Sequence, residues 1–178
     1  PGELISYRSG AILGAFTRES SFEELAQSLP SSPNFNSVSE FHLTIPKLKI
    51  QSALVKANST DLNPDTFVGH LAGTALPGEK GISFLYGHSV LPWFFDTRDY
   101  KTIFSTLHKL DFGDSFAINI DGKLLTYEIT YKITLNPSEV IPFMRGDYFA
   151  NSDSWVILMT CTPPGLDTKR ILVIGKKR

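Results

Sequence analysis

The chain has 178 residues, of which 42% are hydrophobic and 12% aromatic, and its formal net charge is −1. This composition excludes a disordered segment, and the near-neutral charge gives no reason to expect a nucleic acid as partner. No apolar run approaches the 18 residues of a membrane-spanning helix, and the start at Pro1 lacks the basic and apolar regions of a signal peptide.

Residues 1–40 are predicted to form an appendage to the main domain. Residues 20–29 begin with a serine cap followed by acidic residues, and they place Phe22, Leu25 and Leu29 on one helical face. Residues 31–37 are rich in serine and asparagine around a proline, which is typical of a linker. The pattern predicts one short amphipathic helix followed by a turn.

From Phe41 onwards the pattern becomes that of β-strands. Residues 41–45 alternate apolar and polar side chains, and residues 48–50 and 53–55 predict a short strand with its neighbour. Residues 69–78 are glycine-rich and predict a loop, which leads to an apolar strand beginning at Ile82. Gly87 marks the end of that strand, so His88 is expected at the mouth of a loop.

Two segments then separate this strand from the next pair. Residues 91–100 are rich in aromatic side chains, which either line a substrate groove or cover one end of the core. Tyr100 to Leu110 has Ile103, Phe104, Leu107 and Leu110 at helical spacing and predicts an amphipathic helix.

A β-hairpin is the next predicted element. Residues 115–120 and 123–133 alternate on either side of Asp121 and Gly122, and an Asp-Gly pair between two such runs is a strong hairpin signal. Residues 136–153 form a long connection that contains proline, and connections of this length are usually functional or disordered.

The C-terminal stretch contains the only cysteine of the chain. Residues 155–160 and 171–174 predict two strands, the second closed by Gly175, and the Thr162-Pro163-Pro164-Gly165 segment cannot continue a ladder. Cys161 is therefore expected at a strand end. Arg170 opens the returning strand nine positions later, where its charge would favour the reactive thiolate.

Each of these residues also has a purely structural interpretation. A lone cysteine at the end of an apolar strand is more often a small buried hydrophobic residue than a nucleophile. The combination is more informative, because a histidine, a cysteine and an arginine at neighbouring strand ends are the parts of a cysteine acyl-transfer site.

The sequence resembles the sortases, the surface-anchored cysteine transpeptidases of bacteria. The resemblance runs from about Phe41 to the C-terminus, and it is carried by the motifs Thr160-Cys161-Thr162-Pro163 with Arg170, Gly175-Lys176, Gly87-His88-Ser89, Gly73-Thr74-Ala75-Leu76-Pro77-Gly78 and Gly113-Asp114.

The resemblance implies a mostly β fold, a closed barrel of about eight strands with a few short helices, over residues 41–178. It implies that His88, Cys161 and Arg170 are the catalytic residues. His70 is the competing histidine, but the family places its base in the Gly-His-Ser position. His42 and His108 are expected to be structural.

The same resemblance implies the ligands and the location of the protein. The expected substrate is the sorting signal of a surface or pilin protein, of the Leu-Pro-x-Thr-Gly type, and the acceptor is an amine of a cell-wall precursor or a pilin lysine. Substrate contacts are expected from Ser89, Thr160, Ile141, Pro142 and Phe143. No cofactor or metal is expected.

The enzyme is expected outside the cytoplasm, at the cell surface, tethered through a membrane anchor that this chain does not contain. Pilus-building members carry an N-terminal lid with an Asp-Pro-aromatic motif, and no Asp-Pro pair occurs in this sequence, so neither that lid nor that subgroup is expected.

Two other functions stay open at this stage. The chain could be a barrel-shaped binding or assembly domain that has lost turnover, although the complete set of three residues argues against it. It could also be a cysteine hydrolase that uses water as acceptor, because the sequence does not show how a thioester would be shielded.

Overall fold

The computed structural model describes residues 38–146, 148–149 and 153–178. The predicted helix at residues 20–29 and the linker after it lie outside this part of the chain. The eight strands are β1 (Glu40–Ile45), β2 (Ile50–Ser59), β3 (Val68–Leu71), β4 (Gly81–Tyr86), β5 (Ser115–Ile120), β6 (Lys123–Leu135), β7 (Ser154–Thr162) and β8 (Lys169–Lys177).

The strands form a closed barrel in the order β1-β2-β3-β4-β7-β8-β6-β5. The β2–β3 and β4–β7 pairs are parallel and the other pairs are antiparallel. The expectation of a mostly β, closed barrel of eight strands is confirmed. Closure pairs every strand on both sides, so the described barrel has no open edge.

Helices are few and short among the described residues. The α-helix α1 (Val140–Met144) lies in the β6–β7 connection, and three-residue 3-10 helices occur at Pro46–Leu48, Pro92–Phe94, Leu107–Lys109 and Pro137–Glu139. In the described part of the chain, no helix has the length and apolar character needed to cross a membrane.

Both faces of β7 are buried, which explains its unbroken apolar sequence. Val156 and Leu158 belong to the cluster inside the barrel, whereas Ile157 and Met159 face a second apolar cluster outside it. That outer cluster also contains Val140 and Ile141 of α1. The β6–β7 connection therefore covers the outer face of β7.

The predicted hairpin is confirmed. β5 and β6 pair in the register Ile120 with Lys123, and the turn residues Asp121 and Gly122 have φ angles of 51° and 73°. Asparagine, aspartate and glycine adopt this left-handed conformation most easily, which is why the local sequence predicts the turn.

The helix predicted from Tyr100 to Leu110 is wrong. The segment is a series of turns closed by bonds three residues apart, and it ends in the 3-10 helix Leu107–Lys109. The Phe104 amide donates to the carbonyl of His88 at 3.0 Å instead of to its own segment. The apolar residues of the segment are still buried, so the spacing identified the buried side but not the backbone conformation.

Three smaller expectations also need correction. Leu48 lies in a 3-10 helix and not in a strand, and His70 lies in β3 and not in a loop. Gly175 does not end the last strand, since β8 continues to Lys177. A Cβ atom at Gly175 would lie 2.6 Å from the Phe116 ring, so this glycine permits close packing inside the barrel.

Candidate active site

Cys161 and Arg170 are direct partners on the antiparallel pair β7–β8. Side chains at opposed positions of an antiparallel pair project to the same face, which brings the thiol and the guanidinium together. Both residues are almost fully buried, at 4% and 1% exposure. The nine positions between Cys161 and Arg170 are therefore the length of the connection that brings the two residues opposite each other on β7 and β8.

His88 reaches the same place from β4, which runs parallel to β7 with Tyr86 opposite Met159. Beyond the strand end the two chains stay together, because the Gly87 amide donates to Met159 O at 3.2 Å and the Thr160 hydroxyl donates to Gly87 O at 2.7 Å. His88 thus follows β4 at the level where Cys161 lies on β7.

The turn segment after residue 99 fixes the backbone around His88. Phe104 N donates to His88 O at 3.0 Å, and the Val90 amide donates to the Ser105 hydroxyl at 2.8 Å. The Ser105 hydroxyl in turn donates to Thr102 O at 2.7 Å. The segment that was predicted as a helix therefore holds the backbone of His88 and of Val90 through hydrogen bonds.

The thiol of Cys161 is held in its neutral form by burial. Burial raises the pKa of Cys161 to about 11, the nearby Arg170 charge lowers the same pKa, and Asp167 raises it. The effect of Arg170 has the expected direction, but desolvation of the thiolate outweighs it. At neutral pH the resting cysteine is therefore a thiol.

Arg170 keeps one side of its guanidinium group available. Nη1 donates to Asp167 O at 2.7 Å and to Lys169 O at 3.2 Å. Nη2 is buried and has no hydrogen-bond partner among the described residues. A buried donor without an acceptor destabilises the folded protein. Nη2 is therefore suited to donate to an oxygen atom of a ligand.

The His88 ring is also buried. Neither ring nitrogen has a hydrogen-bond partner within the described residues, and the side chain of His88 is 0% exposed. The Asp65 carboxylate lies close to the ring, with Oδ1 at 3.5 Å from Nε2. Burial lowers the pKa of His88, and Asp65 partly opposes that change.

His70, the competing histidine, is bound on both nitrogens. Nδ1 accepts from the Asn58 amide at 3.0 Å, so Nε2 carries the proton and donates to Ala75 O at 3.0 Å. The Thr74 hydroxyl lies 3.1 Å from the same Nε2. Burial lowers the pKa of His70 to about 4, so the ring is neutral and its position is that of a structural residue.

Ser89 and Thr160, two of the residues expected to contact substrate, are buried next to the candidate nucleophile. The Ser89 hydroxyl donates to Cys161 O at 2.9 Å, and the Thr160 hydroxyl donates to Gly87 O. Both hydroxyls join the His88 segment to β7. Their contact with substrate stays a prediction.

The other expected contact residues lie in α1. Ile141 is buried in the outer apolar cluster, and Phe143 is partly buried with its ring centroid 5.5 Å from that of Phe149. Pro142 is exposed. A role for these three in substrate binding also stays a prediction.

The aromatic connection after His88 does not cover the core with its largest side chains. Trp93 is 76% exposed and Phe94 is 69% exposed. Leu91 of the same connection lies against Gly165, where an added Cβ atom would come within 2.9 Å of the Leu91 side chain. The β4–β5 and β7–β8 connections therefore touch beside the site.

Asp65 is the site residue that sequence reasoning missed. It precedes His88 by 23 positions in an irregular connection, and no motif or periodicity marks it. In the described part of the chain, no group of three or more histidine, cysteine, aspartate or glutamate side chains is placed to hold a metal ion.

A profile of the family described as "Sortase domain" matches residues 43–178. No curated protein matches the sequence. Among solved structures, the chain is similar to sortase C1 of pilus island 1 of group B Streptococcus, with 31% identity over 78% of this chain and a TM-score of 0.63. The chain spans 64% of that structure, so it matches slightly less than two thirds of it.

This chain matches a larger share of two further structures. A lid mutant of Streptococcus agalactiae sortase C1 is 27% identical over 88% of this chain and 81% of that one, with a TM-score of 0.65. Sortase C-1 of Actinomyces oris is 26% identical over 89% of this chain and 83% of that one, with a TM-score of 0.64.

Proposed function

The chain belongs to the sortase family, and on that premise we propose that it is a cysteine transpeptidase in which Cys161, His88 and Arg170 carry out the reaction. The observation that supports this most directly is the strand register, which brings Cys161 of β7, Arg170 of β8 and His88 after β4 to one end of the barrel. A binding domain would have no need for a buried histidine ring and a buried guanidinium nitrogen that lack hydrogen-bond partners among the described residues.

The first half of the proposed reaction forms a thioester. The Cys161 thiolate attacks the carbonyl carbon of the threonine in a Leu-Pro-x-Thr-Gly-type sorting signal, and the carbonyl oxygen becomes an oxyanion. The Nη2 group of Arg170 donates to that oxyanion. The C–N bond then breaks, and the leaving amine takes a proton from protonated His88.

The second half transfers the acyl group. An incoming amine attacks the thioester, gives a proton to neutral His88, and displaces the Cys161 thiolate. Each half uses His88 once as acid or base, so the enzyme returns to its starting protonation state. The reaction needs no oxidant, reductant or metal ion.

The protonation states explain why substrate binding matters. Burial raises the pKa of Cys161 to about 11 and lowers the pKa of His88, so the resting pair is a thiol and a neutral imidazole. The reactive pair needs the Cys161 proton to move to His88. Between the two pKa values the fraction of this ion pair is small and does not depend on pH.

The missing Asp-Pro pair argues against the pilus-building subgroup, but the similar structures favour a pilin lysine as the amine acceptor over a cell-wall amine. One of them is named as a sortase of a pilus island. An enzyme that joins pilin subunits would act at the outer surface of the membrane. The choice of amine that releases the thioester tests this acceptor.

The test is intact-mass spectrometry of the protein incubated with five-residue sorting peptides, each with and without a lysine-type or glycine-type amine. We expect Cys161 to gain the acyl group that ends at the threonine, a mass increase equal to the truncated peptide acid less one water. The lysine-type amine should release this acyl group as a new amide. Cys161→Ala should form no adduct.

Other outcomes are equally informative. Release of the adduct only to water would support a cysteine hydrolase, and release by the glycine-type amine alone would support cell-wall anchoring. No adduct with any peptide, while the thiol still reacts with an alkylating reagent, would contradict the transpeptidase and support a binding domain.

A further inference from the structure

The connection between β2 and β3, residues 60–67, lies against the buried face of His88. Asp65 Oδ1 is 3.5 Å from His88 Nε2, and Asp65 Oδ2 is 3.5 Å from the Lys101 ammonium. The carboxylate thus bridges a buried imidazole and a surface cation, each on a different element. The Asp65 and Lys101 side chains are both 46% exposed, so the bridge lies at the edge of the site.

The position of Asp65 is fixed by its neighbours. Pro64 and Phe67 are buried on either side of it, and the Lys56 ammonium lies 4.4 Å from the Phe67 ring centroid. Anchors this close in sequence hold the backbone of Asp65 beside His88.

A hydrogen bond from β4 also holds this connection. The Tyr86 hydroxyl donates to Asp61 O at 2.6 Å. Tyr86 is two residues before His88, so the strand that carries the histidine also holds the connection that carries the aspartate. The Tyr86 ring crosses β3 at Gly69, where a Cβ atom would lie 2.2 Å from the ring.

We infer that Asp65, with Lys101 behind it, is a positioning residue that orients the His88 ring and stabilises its protonated form. The inference rests on the transpeptidase function proposed for the same site. A carboxylate beside Nε2 favours the tautomer with its proton on Nε2. Nδ1, which is buried and has no hydrogen-bond partner among the described residues, is then the nitrogen that exchanges protons with Cys161 and the substrate.

The charges around His88 give Asp65 the leading role. The 60–67 connection contributes Asp65, Asp61 and the Asn63 backbone, all of which favour the protonated ring, with Asp65 the strongest. The Asn63 backbone does so without meeting the geometry of a hydrogen bond. Lys101 acts in the opposite direction.

β7 and β8 contribute Cys161 and Arg170 at the same end of the barrel. Without Asp65, the buried ring would be left with the ammonium of Lys101 and only the weaker counter-charge of Asp61.

The consequence for the reaction follows from the small population of the reactive ion pair. Between the two pKa values, that population falls by the same factor as the acid dissociation constant of His88 rises. Loss of Asp65 should therefore lower the rate of thioester formation at neutral pH and move the acidic limb of the pH profile to lower pH. Loss of Lys101 should have the opposite effect on both.

The experiment is an NMR titration of the histidine ring resonances in the full chain, which has four histidines. His88→Gln assigns the His88 signals. We expect Asp65→Asn to lower the pKa of His88, Lys101→Met to raise it, and Asp65→Glu to restore most of the parent value. Asp121→Asn, which removes a carboxylate from the β5–β6 turn at the other end of the barrel, is the matched control and should leave it unchanged.

Thioester formation is then followed against pH by mass spectrometry. Asp65→Asn should be slower by about fivefold at neutral pH, the size expected for one partly exposed charge pair, with an unchanged melting temperature. Opposite shifts in Asp65→Asn and Lys101→Met cannot come from a general loss of structure.

The experiments distinguish failure of the Asp65 inference from failure of the proposed transpeptidase function. An unchanged pKa of His88 in Asp65→Asn would overturn the inference, whatever the protein catalyses. A lowered pKa with an unchanged rate and pH profile would show that the contact is only structural. If the parent forms no thioester, the proposed function fails, while the titration still decides whether Asp65 and His88 are paired.

Discussion

His70 and His88 occupy neighbouring parts of the barrel, and both are almost completely buried. His70 meets Asn58, Thr74 and Ala75 through its two nitrogens, whereas His88 meets no hydrogen-bond partner in the described part of the chain. Burial lowers the pKa of each ring. The difference lies in what the surroundings provide, since a ring that is already fully bonded stabilises the fold and a ring left without bonds can exchange protons with a ligand.

The largest expected effect is on turnover by His88→Ala. We expect the rate of amide exchange to fall by about a thousandfold, because general acid and base catalysis is lost from both halves of the reaction. Steady-state kinetics with a sorting peptide and an amine would measure it. Activity of His88→Ala comparable with the parent would show that another group is the base.

Arg170→Lys should give the next largest loss, about a hundredfold in kcat/KM. The single ammonium nitrogen of a lysine cannot occupy both positions of the guanidinium fork, in which Nη1 donates to Asp167 O and Nη2 is left for the oxyanion. Arg98→Lys is the control, because its guanidinium is exposed and its one ion pair with a described residue is with Asp96. Equal losses in the two variants would remove the reason for assigning Arg170 to the site.

His70→Ala should affect stability and leave most of the turnover of the folded protein. Both histidine-to-alanine variants leave a cavity, but only His70→Ala also leaves the Asn58 amide and the Ala75 carbonyl without partners. Its free energy of unfolding should be about 2 kcal/mol lower than that of His88→Ala, measured by urea denaturation. Loss of turnover in folded His70→Ala would contradict a structural role.

The smallest expected effect is on the pH dependence of stability, which also distinguishes His70 from His88. Burial lowers the pKa of His70 to about 4, below the unfolded value of 6.5, so the unfolded state binds more protons in this window. The parent should therefore keep the full contribution of neutral His70 above pH 6.5 and lose it as the pH falls towards 4. The slope should be about 1 kcal/mol per pH unit steeper than in His70→Gln.

Urea denaturation of the two proteins at pH 7, 6 and 5 measures this difference. Parallel stability curves over that range would mean that His70 becomes protonated in the folded protein without a penalty, and the distinction between the two histidines would then be lost.

Several features of the site follow from the local sequence. Gly87 and the Thr162-Pro163-Pro164-Gly165 segment interrupt strands, so His88 and Cys161 are expected at strand ends, and the Asp121-Gly122 pair specifies its hairpin. Turn and strand signals depend on neighbouring residues, which is why these elements are correct to within a few positions. The family resemblance adds the barrel, which the strand patterns alone do not specify.

Other features were decided only when distant segments met. The Tyr100 to Leu110 pattern is helical in period, yet the Phe104 amide bonds to His88, 16 positions earlier, and the segment becomes a series of turns. Gly175 has the local pattern of a strand end, but β8 continues through it, and the glycine allows the Phe116 ring to pack against the strand.

The sequence by itself determined the strand ends beside His88 and Cys161, the hairpin, and, through the family resemblance, the three candidate catalytic residues. Tertiary structure decided the state of those residues: the burial that keeps Cys161 a thiol, the hydrogen bonds that satisfy His70, and the contact between Asp65 and His88. The physical reason is that burial and electrostatic fields depend on groups far apart in the chain, whereas turns and strand ends depend on residues close together.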